Sequence, residues 1–249
     1  MSKFADLSCG CLLITSLFLG GCTAKEPTPK TSSVSLQPVY KACKTVNEGD
    51  TESTNLSEAL DSLESCTGVE VSRGGYTWQI LRNDSGVSTV QISQSSDAET
   101  WTVDIYSQEV QLNFVLIRET DRDWSLQQIL PSGHQESISR DWDSMILNLC
   151  FPGISASKRE EYLKDAEESG RNWRIPFTSD NEADCMYEVA VNSCGLPATI
   201  QLQSDAQVIW STAVKVLENG SDVQSELTRI AVQVGSGEIS PGEPVVLPN

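Results

Sequence analysis

The side chains of this 249-residue chain best suited to chemistry or recognition are one histidine, eight cysteines, six tryptophans and a few close acid pairs. His134 lies in Pro131-Ser132-Gly133-His134, a turn sequence, and is the only imidazole available as a general base or metal ligand. The serines around it do not form G-x-S-x-G, so an exposed loop histidine is the simpler reading. Asp121/Asp123, Asp141/Asp143 and Glu182/Asp184 are close carboxylate pairs. A glycosidase needs two such groups facing each other across a cleft, which sequence spacing does not show. A calcium loop needs a glycine and a distal glutamate that these pairs lack. Solvated acidic turns are therefore expected. The tryptophans at 78, 101, 124, 142, 173 and 210 should mostly be core or cross-strand partners, but Trp124, Trp142 and Trp173 stand among charged residues. Exposed, those three would stack on a glycan or anchor a protein partner.

The N-terminus carries the most specific pattern. Lys3 is followed by the apolar stretch Leu12 to Leu19 and then by Gly20-Gly21-Cys22. That stretch is shorter than the roughly 20 residues a membrane span requires, and it has the layout of a cleavable signal. Leu19-Gly20-Gly21-Cys22 resembles the bacterial lipobox, in which small residues admit the lipoprotein signal peptidase just before a cysteine carrying diacylglycerol. The resemblance implies removal of residues 1–21 and lipidation of Cys22. It also implies attachment to the membrane through acyl chains, at about 0.8 kcal/mol per buried CH₂. The implied location is the cell envelope: the outer membrane in a Gram-negative host, given neutral Thr23, and otherwise the outer face of the plasma membrane.

An exported chain meets an oxidising compartment, so disulfides are expected among Cys43, Cys66, Cys150, Cys185 and Cys194. The pairing is open in the sequence. The preferred arrangement joins Cys43 to Cys66, clamping a first helix to the sheet, and Cys185 to Cys194 across a hairpin, leaving Cys150 as a buried thiol in the run Met145 to Phe151. No C-x-x-C and no nearby histidine supports a metal site, and no residue pattern calls for a cofactor.

These groups need a frame. Seventeen Lys+Arg against 35 Asp+Glu give a net charge of −18, which removing residues 1–21 leaves unchanged because Lys3 and Asp6 go together. Such a charge argues against nucleic acid and against anionic headgroups as direct ligands. With 39% apolar residues the chain can bury a core. Residues 22–41, with Pro27, Pro29 and Pro38, read as a flexible tether with a reach of roughly 25 Å. Residues 235–249, rich in Gly and Pro, read as an extended tail.

Between them, 42–234 reads as an α+β domain, predominantly antiparallel β with two short helices. Period-two alternation at Tyr76/Trp78/Ile80, Val90/Ile92, Trp101/Val103/Ile105 and Val110/Leu112/Phe114/Leu116 predicts a meander over about 69–130. Further strands are expected near 145–151, 186–192, 198–203, 206–217 and 226–234, the last two joined by an Asn219-Gly220 turn. Helical spacing appears at Leu56, Ala59, Leu60 and Leu63 behind Asn55, and again from Ser157 through Glu168, stopped by Gly170. A weak echo between 42–135 and 140–234 raises two similar helix-plus-meander halves; one continuous domain is the default.

The function expected on these grounds is that of a lipid-anchored envelope lipoprotein with a binding or scaffolding role toward an envelope protein or glycan. The competing readings are an extracytoplasmic hydrolase of cell-wall or surface polymers, and a carrier with an apolar cavity lined by Phe114 and Leu116.

Overall fold

The computed structural model describes residues 35–43, 55–82, 89–107, 110–120, 123–130, 142–178 and 184–247, all inside one compact unit, Ser33–Asn249. Helix α1 (Leu56–Glu64) forms where expected: Leu56, Ala59, Leu60 and Leu63 share one buried side, and Asn55 Oδ1 accepts from the Ser57 N–H at 3.1 Å. The meander follows as β1 (Gly68–Arg73), β2 (Tyr76–Arg82), β3 (Thr89–Gln94), β4 (Thr100–Tyr106), β5 (Gln111–Arg118) and β6 (Trp124–Leu130). Next come α2 (Trp142–Cys150), α3 (Ala156–Lys164), β7 (Glu167–Ser169), β8 (Asn172–Thr178), β9 (Asp184–Val191), β10 (Pro197–Ser204), β11 (Gln207–Val216), α4 (Gly220–Gly235) and β12 (Pro244–Val245).

These twelve strands join one open antiparallel sheet in the order β12-β6-β5-β4-β3-β2-β1-β11-β10-β9-β8-β7. The fold is thus α+β and mostly β. The two stretches named as halves share this sheet, because β1 of the first pairs with β11 of the second, Val69 opposite Val216 through Arg73 opposite Thr212.

Two expected strands are helices. The run 145–151 lies in α2 and the residue that follows it, with Ile146, Leu147, Cys150 and Phe151 buried at the spacing of one helical face. A short apolar run does not by itself separate a buried strand from a buried helix. Residues 226–234 belong to α4, whose buried Val223, Leu227, Ile230, Ala231 and Val234 recur every three to four positions. Asn219-Gly220 is accordingly a helix start and not a hairpin turn. A Cβ on Gly220 would lie 2.7 Å from the Thr67 carbonyl oxygen and 2.8 Å from Gly68 Cα, so glycine there lets α4 cross the sheet closely. α3 begins after Ser155 and ends at Lys164; Gly170, at φ +69°, serves the β7–β8 turn.

The dry side of the sheet changes across its width. Over β2–β6, one face buries Leu81, Val90, Ile92, Val103, Ile105, Phe114, Leu116 and Leu126 beneath the apolar stripe of α4. Over β1 and β8–β11, a second core buries Val69, Val71, Ile175, Tyr187, Val189, Ile200 and Val214 beneath residues of α1 and α2. Ile80 and Leu81, neighbours on β2, belong to different cores because successive strand residues point to opposite faces.

Both terminal segments are bound to this sheet where described. The end of the expected tether, residues 35–41, is docked chain: Leu36 is buried in the first core, Tyr40 bridges Leu217, and the Lys41 N–H donates to the Val216 carbonyl at 2.9 Å. Asn219 clamps it, with Oδ1 accepting from the Val39 N–H at 3.1 Å and Nδ2 donating to the Ser35 and Gln37 carbonyls at 3.1 and 2.9 Å. In the C-terminal segment, β12 pairs with β6, and Val245, 2% exposed, enters the first core.

Candidate functional site

The cysteines are joined differently from the sequence expectation. Cys43 is bonded to Cys194, across a sequence separation of 151, and Cys66, Cys150 and Cys185 are free thiols. The strap at 35–43 runs antiparallel to the end of β11, which carries Cys43 to the β9–β10 turn where Cys194 sits. Cys43–Cys66 and Cys185–Cys194 pairing is therefore corrected; nothing local in the sequence announces a contact that strand order creates. Cys150 is fully buried, and that burial pushes its thiol up to about 12.

Trp124 is also corrected as an exposed aromatic. It is 8% exposed and packs on Trp101, with ring centroids 4.5 Å apart, in the first core. Its charged neighbours reflect the strand end and not the face its ring occupies. Trp173 is half-buried against the second core. The side chain of Trp142 lies outside the described residues, as do Cys22, His134, Asp121, Asp141 and Glu182 and the side chain of Asp143. Asp123 accepts from the Thr120 hydroxyl at 2.6 Å, and Asp184 is exposed at the start of β9. Among the described residues no group of three His, Cys, Asp or Glu is placed to hold a metal ion. Phe114 and Leu116 are wholly buried under α4.

The structure instead gathers aromatic groups at the end of the sheet where the β1–β2 and β10–β11 hairpins turn. Gly74 and Gly75, at φ +59° and +83°, make the two-residue β1–β2 turn, a conformation that favours glycine at both positions. Just before it, the Arg73 guanidinium lies between two indoles, 5.5 Å from the Trp78 centroid and 5.2 Å from that of Trp210. Its Nη1 donates to the Leu149 carbonyl at 2.9 Å, which fixes the side chain against α2.

From this sandwich an aromatic series runs inward: Trp210 to Tyr187 at 5.6 Å, Tyr187 to Phe177 at 5.0 Å and Phe177 to Tyr162 on α3 at 5.8 Å. Burial raises the Tyr187 phenol well above its usual range, and its hydroxyl donates to the Pro152 carbonyl. The same series opens outward through Tyr76, whose ring is 6.0 Å from Trp78 and which is 59% exposed.

Beside Trp210, Val208 and Ile209 are 53% and 56% exposed. They lie on a stretch of β11 that pairs with β10 but extends past the end of β1, whose register stops at Arg73 opposite Thr212. A cleft of about 420 Å³ at the same hairpin end is lined by Ser72, Arg73, Thr77, Gln94 and Ser211 among others. This hairpin end thus carries exposed aromatic and aliphatic side chains and a rigidly held cation, the kinds of group that recognise a partner, while Ser72, Thr77 and Ser211 alternate with Arg73, Tyr76 and Trp210 and face the other side of the sheet. The alternation of the sequence places Tyr76 and Trp78 on a strand. It does not single out Arg73, for which the Arg-Gly-Gly-Tyr hairpin is the local signal.

At the centre of the sheet, Glu70 is buried, 5% exposed, and matched by several partners. The Tyr40 hydroxyl donates to its carboxylate at 2.9 Å, Gln79 Nε2 donates at 3.2 Å, and Lys215 Nζ lies 3.6 Å away and over the Tyr40 ring. Burial first, then the bond to Glu70 and its negative charge, push the Tyr40 phenol up to about 12. This cluster ties the strap to β1, β2 and β11, and its polar groups satisfy one another.

The chain matches no protein-family model, and no curated protein is significantly similar to it. No helix among the described residues is long and apolar enough to cross a membrane.

Proposed function

We propose that this protein is a lipid-anchored component of the bacterial cell envelope, held by acyl chains on Cys22, whose β-rich domain binds a protein partner with the hairpin end that carries Tyr76, Arg73, Trp210, Val208 and Ile209. The observation that carries the binding role is the exposure of Tyr76, Val208 and Ile209 together at one end of a sheet whose other large apolar side chains mostly lie in two cores. Exposed aliphatic side chains next to a buried-edge aromatic series favour protein over glycan, since sugars stack on aromatic faces while branched aliphatics add affinity chiefly against other apolar surface. The Leu19-Gly20-Gly21-Cys22 motif supports the anchor.

Two measurements test the two parts separately. Metabolic labelling with a palmitate analogue in a bacterial host is expected to mark the wild-type chain and to fail with Cys22→Ala; label retained by the variant removes the anchor. A photo-crosslinking amino acid at Tyr76 or Ile209 is expected to give a discrete adduct in cells. The same group at Val246, 80% exposed on the C-terminal segment, should give none. Equal or absent adducts at all three positions would dispose of the binding patch.

A further inference from the structure

Cys66 follows the end of α1 and lines a cavity of about 530 Å³ together with Lys41, Ser62, Cys194 and Glu218. Cys194 is one half of the bridge to Cys43, and Cys43 lines an adjoining cavity of about 230 Å³ that shares Lys41 and Leu196 with the first. A cysteine with a free thiol and one half of a disulfide thus line the same space. Such a space admits the displacement that thiol–disulfide exchange requires, whereas a packed interior such as that around Cys150 does not. Two features set the thiol's readiness. Half-burial raises its pKa, opposed by the Lys41 ammonium beside it, and its S–H donates to the Ser62 carbonyl at 3.3 Å. At rest the thiol is protonated and parked; a thiolate, once formed, has a cation next to it.

We infer that Cys43, Cys66 and Cys194 form a three-cysteine exchange site in which the Cys66 thiolate attacks the Cys194 sulfur. The Cys66–Cys194 bond forms as the Cys43–Cys194 bond breaks, and Cys43 departs as a thiolate that takes up the proton Cys66 released to water. One disulfide and one thiol are present before and after, so no oxidant or reductant is consumed. The consequence is mechanical. Cys43 closes the N-terminal strap onto the β9–β10 turn, and exchange unfastens that covalent staple, leaving the strap on the Asn219 clamp and the Tyr40–Glu70 bonds. This inference does not depend on the partner patch.

The test uses the full chain under native conditions. The protein is incubated from neutral to mildly alkaline pH, quenched by acid and alkylation, digested without reduction, and its linkages mapped by mass spectrometry. A Cys66–Cys194 peptide and alkylated Cys43 are expected to appear together, with a rate rising about tenfold per pH unit below the thiol pKa. Cys66→Ser, or Cys66→Ala should the serine fold poorly by circular dichroism, is expected to abolish the new linkage, while Cys185→Ser leaves it intact. A wild-type chain in which Cys66 is fully alkylated and Cys43–Cys194 stays the sole linkage at every pH overturns the inference. So does exchange of the Cys43–Cys194 bond that survives loss of Cys66.

Discussion

The two cores lie on opposite faces of one sheet and are covered in different ways. The first is closed by a single sixteen-residue helix, α4, which supplies Val223, Leu227, Ile230, Ala231 and Val234, with Leu36 and Val245 from the terminal segments at its margin. The second is roofed by nine-residue helices that hold polar groups as well as apolar ones. Arg159, 7% exposed on α3, donates to Asn148 Oδ1 on α2 at 2.8 Å, and Arg73 reaches the Leu149 carbonyl. Burial pulls the Arg159 pKa down from its usual value, opposed by the nearby Glu64 carboxylate. The long amphipathic helix α4 closes its flat face mainly with apolar contacts, Gln224 being a polar side chain that it also buries. Several short helices leave ends and seams, and polar side chains fill those seams because buried helix ends need partners. The aromatic patch opens at such a seam, next to α2, so the second core is both structural support and the base of the recognition surface.

Hollowing each core in turn tests whether the sheet separates them. Phe114→Ala in the first and Phe151→Ala in the second should each cost about 3–5 kcal/mol in urea denaturation. Combined, they should add to within about 0.5 kcal/mol if the sheet insulates one core from the other. A clear departure from additivity would show that the cores act as one packed body.

A finer cut falls between two adjacent residues. Ile80→Ala and Leu81→Ala should each cost about 2–5 kcal/mol. Their effects on amide exchange should differ in place: Ile80→Ala loosening α1 and α2, Leu81→Ala loosening α4. Identical exchange maps would show that β2 does not divide the cores as its side chains suggest.

The smallest effect concerns the strap at the boundary. The folded protein holds the Tyr40 proton to about 12, whereas an unfolded chain releases it near the ordinary value of 10.0. The folded state thus binds more protons between those values, and stability present below the lower one is lost as pH rises toward the upper. Tyr40→Phe should flatten this alkaline decline, read from thermal melts across that range; an unchanged decline would assign it to other groups. Because Tyr40 is 41% exposed, solvent screening keeps the effect small.

Much of the first half of the fold is legible in the sequence. Alternation at Val90/Ile92, Trp101/Val103/Ile105 and Phe114/Leu116 marks strands that bury those side chains, and Leu56/Ala59/Leu60/Leu63 marks α1. The misreadings cluster where apolar residues are dense. In Met145 to Phe151 and Glu226 to Val234, β-branched and apolar side chains fit either element, and the face they bury decides between them. The candidate site is less legible. Tyr76 and Trp78 stand out as a strand pattern, but Trp210 comes from the far end of the chain. Only the β1–β11 pairing brings it to Arg73.

The amino-acid order alone carries what local rules govern: the lipobox-like motif, the acidic charge, the meander, the first helix and its cap, and the number of cysteines. Those depend on side-chain period, charge and short motifs within a few residues of one another. Only the tertiary structure decided that Cys43 bonds Cys194, that Trp124 is buried, that Arg73 is held between two indoles, and that the dry face changes sides at β2. Each of these is a contact between residues far apart in the chain, fixed by strand order and by which helix covers which face. Neither leaves a mark in the spacing of neighbouring residues.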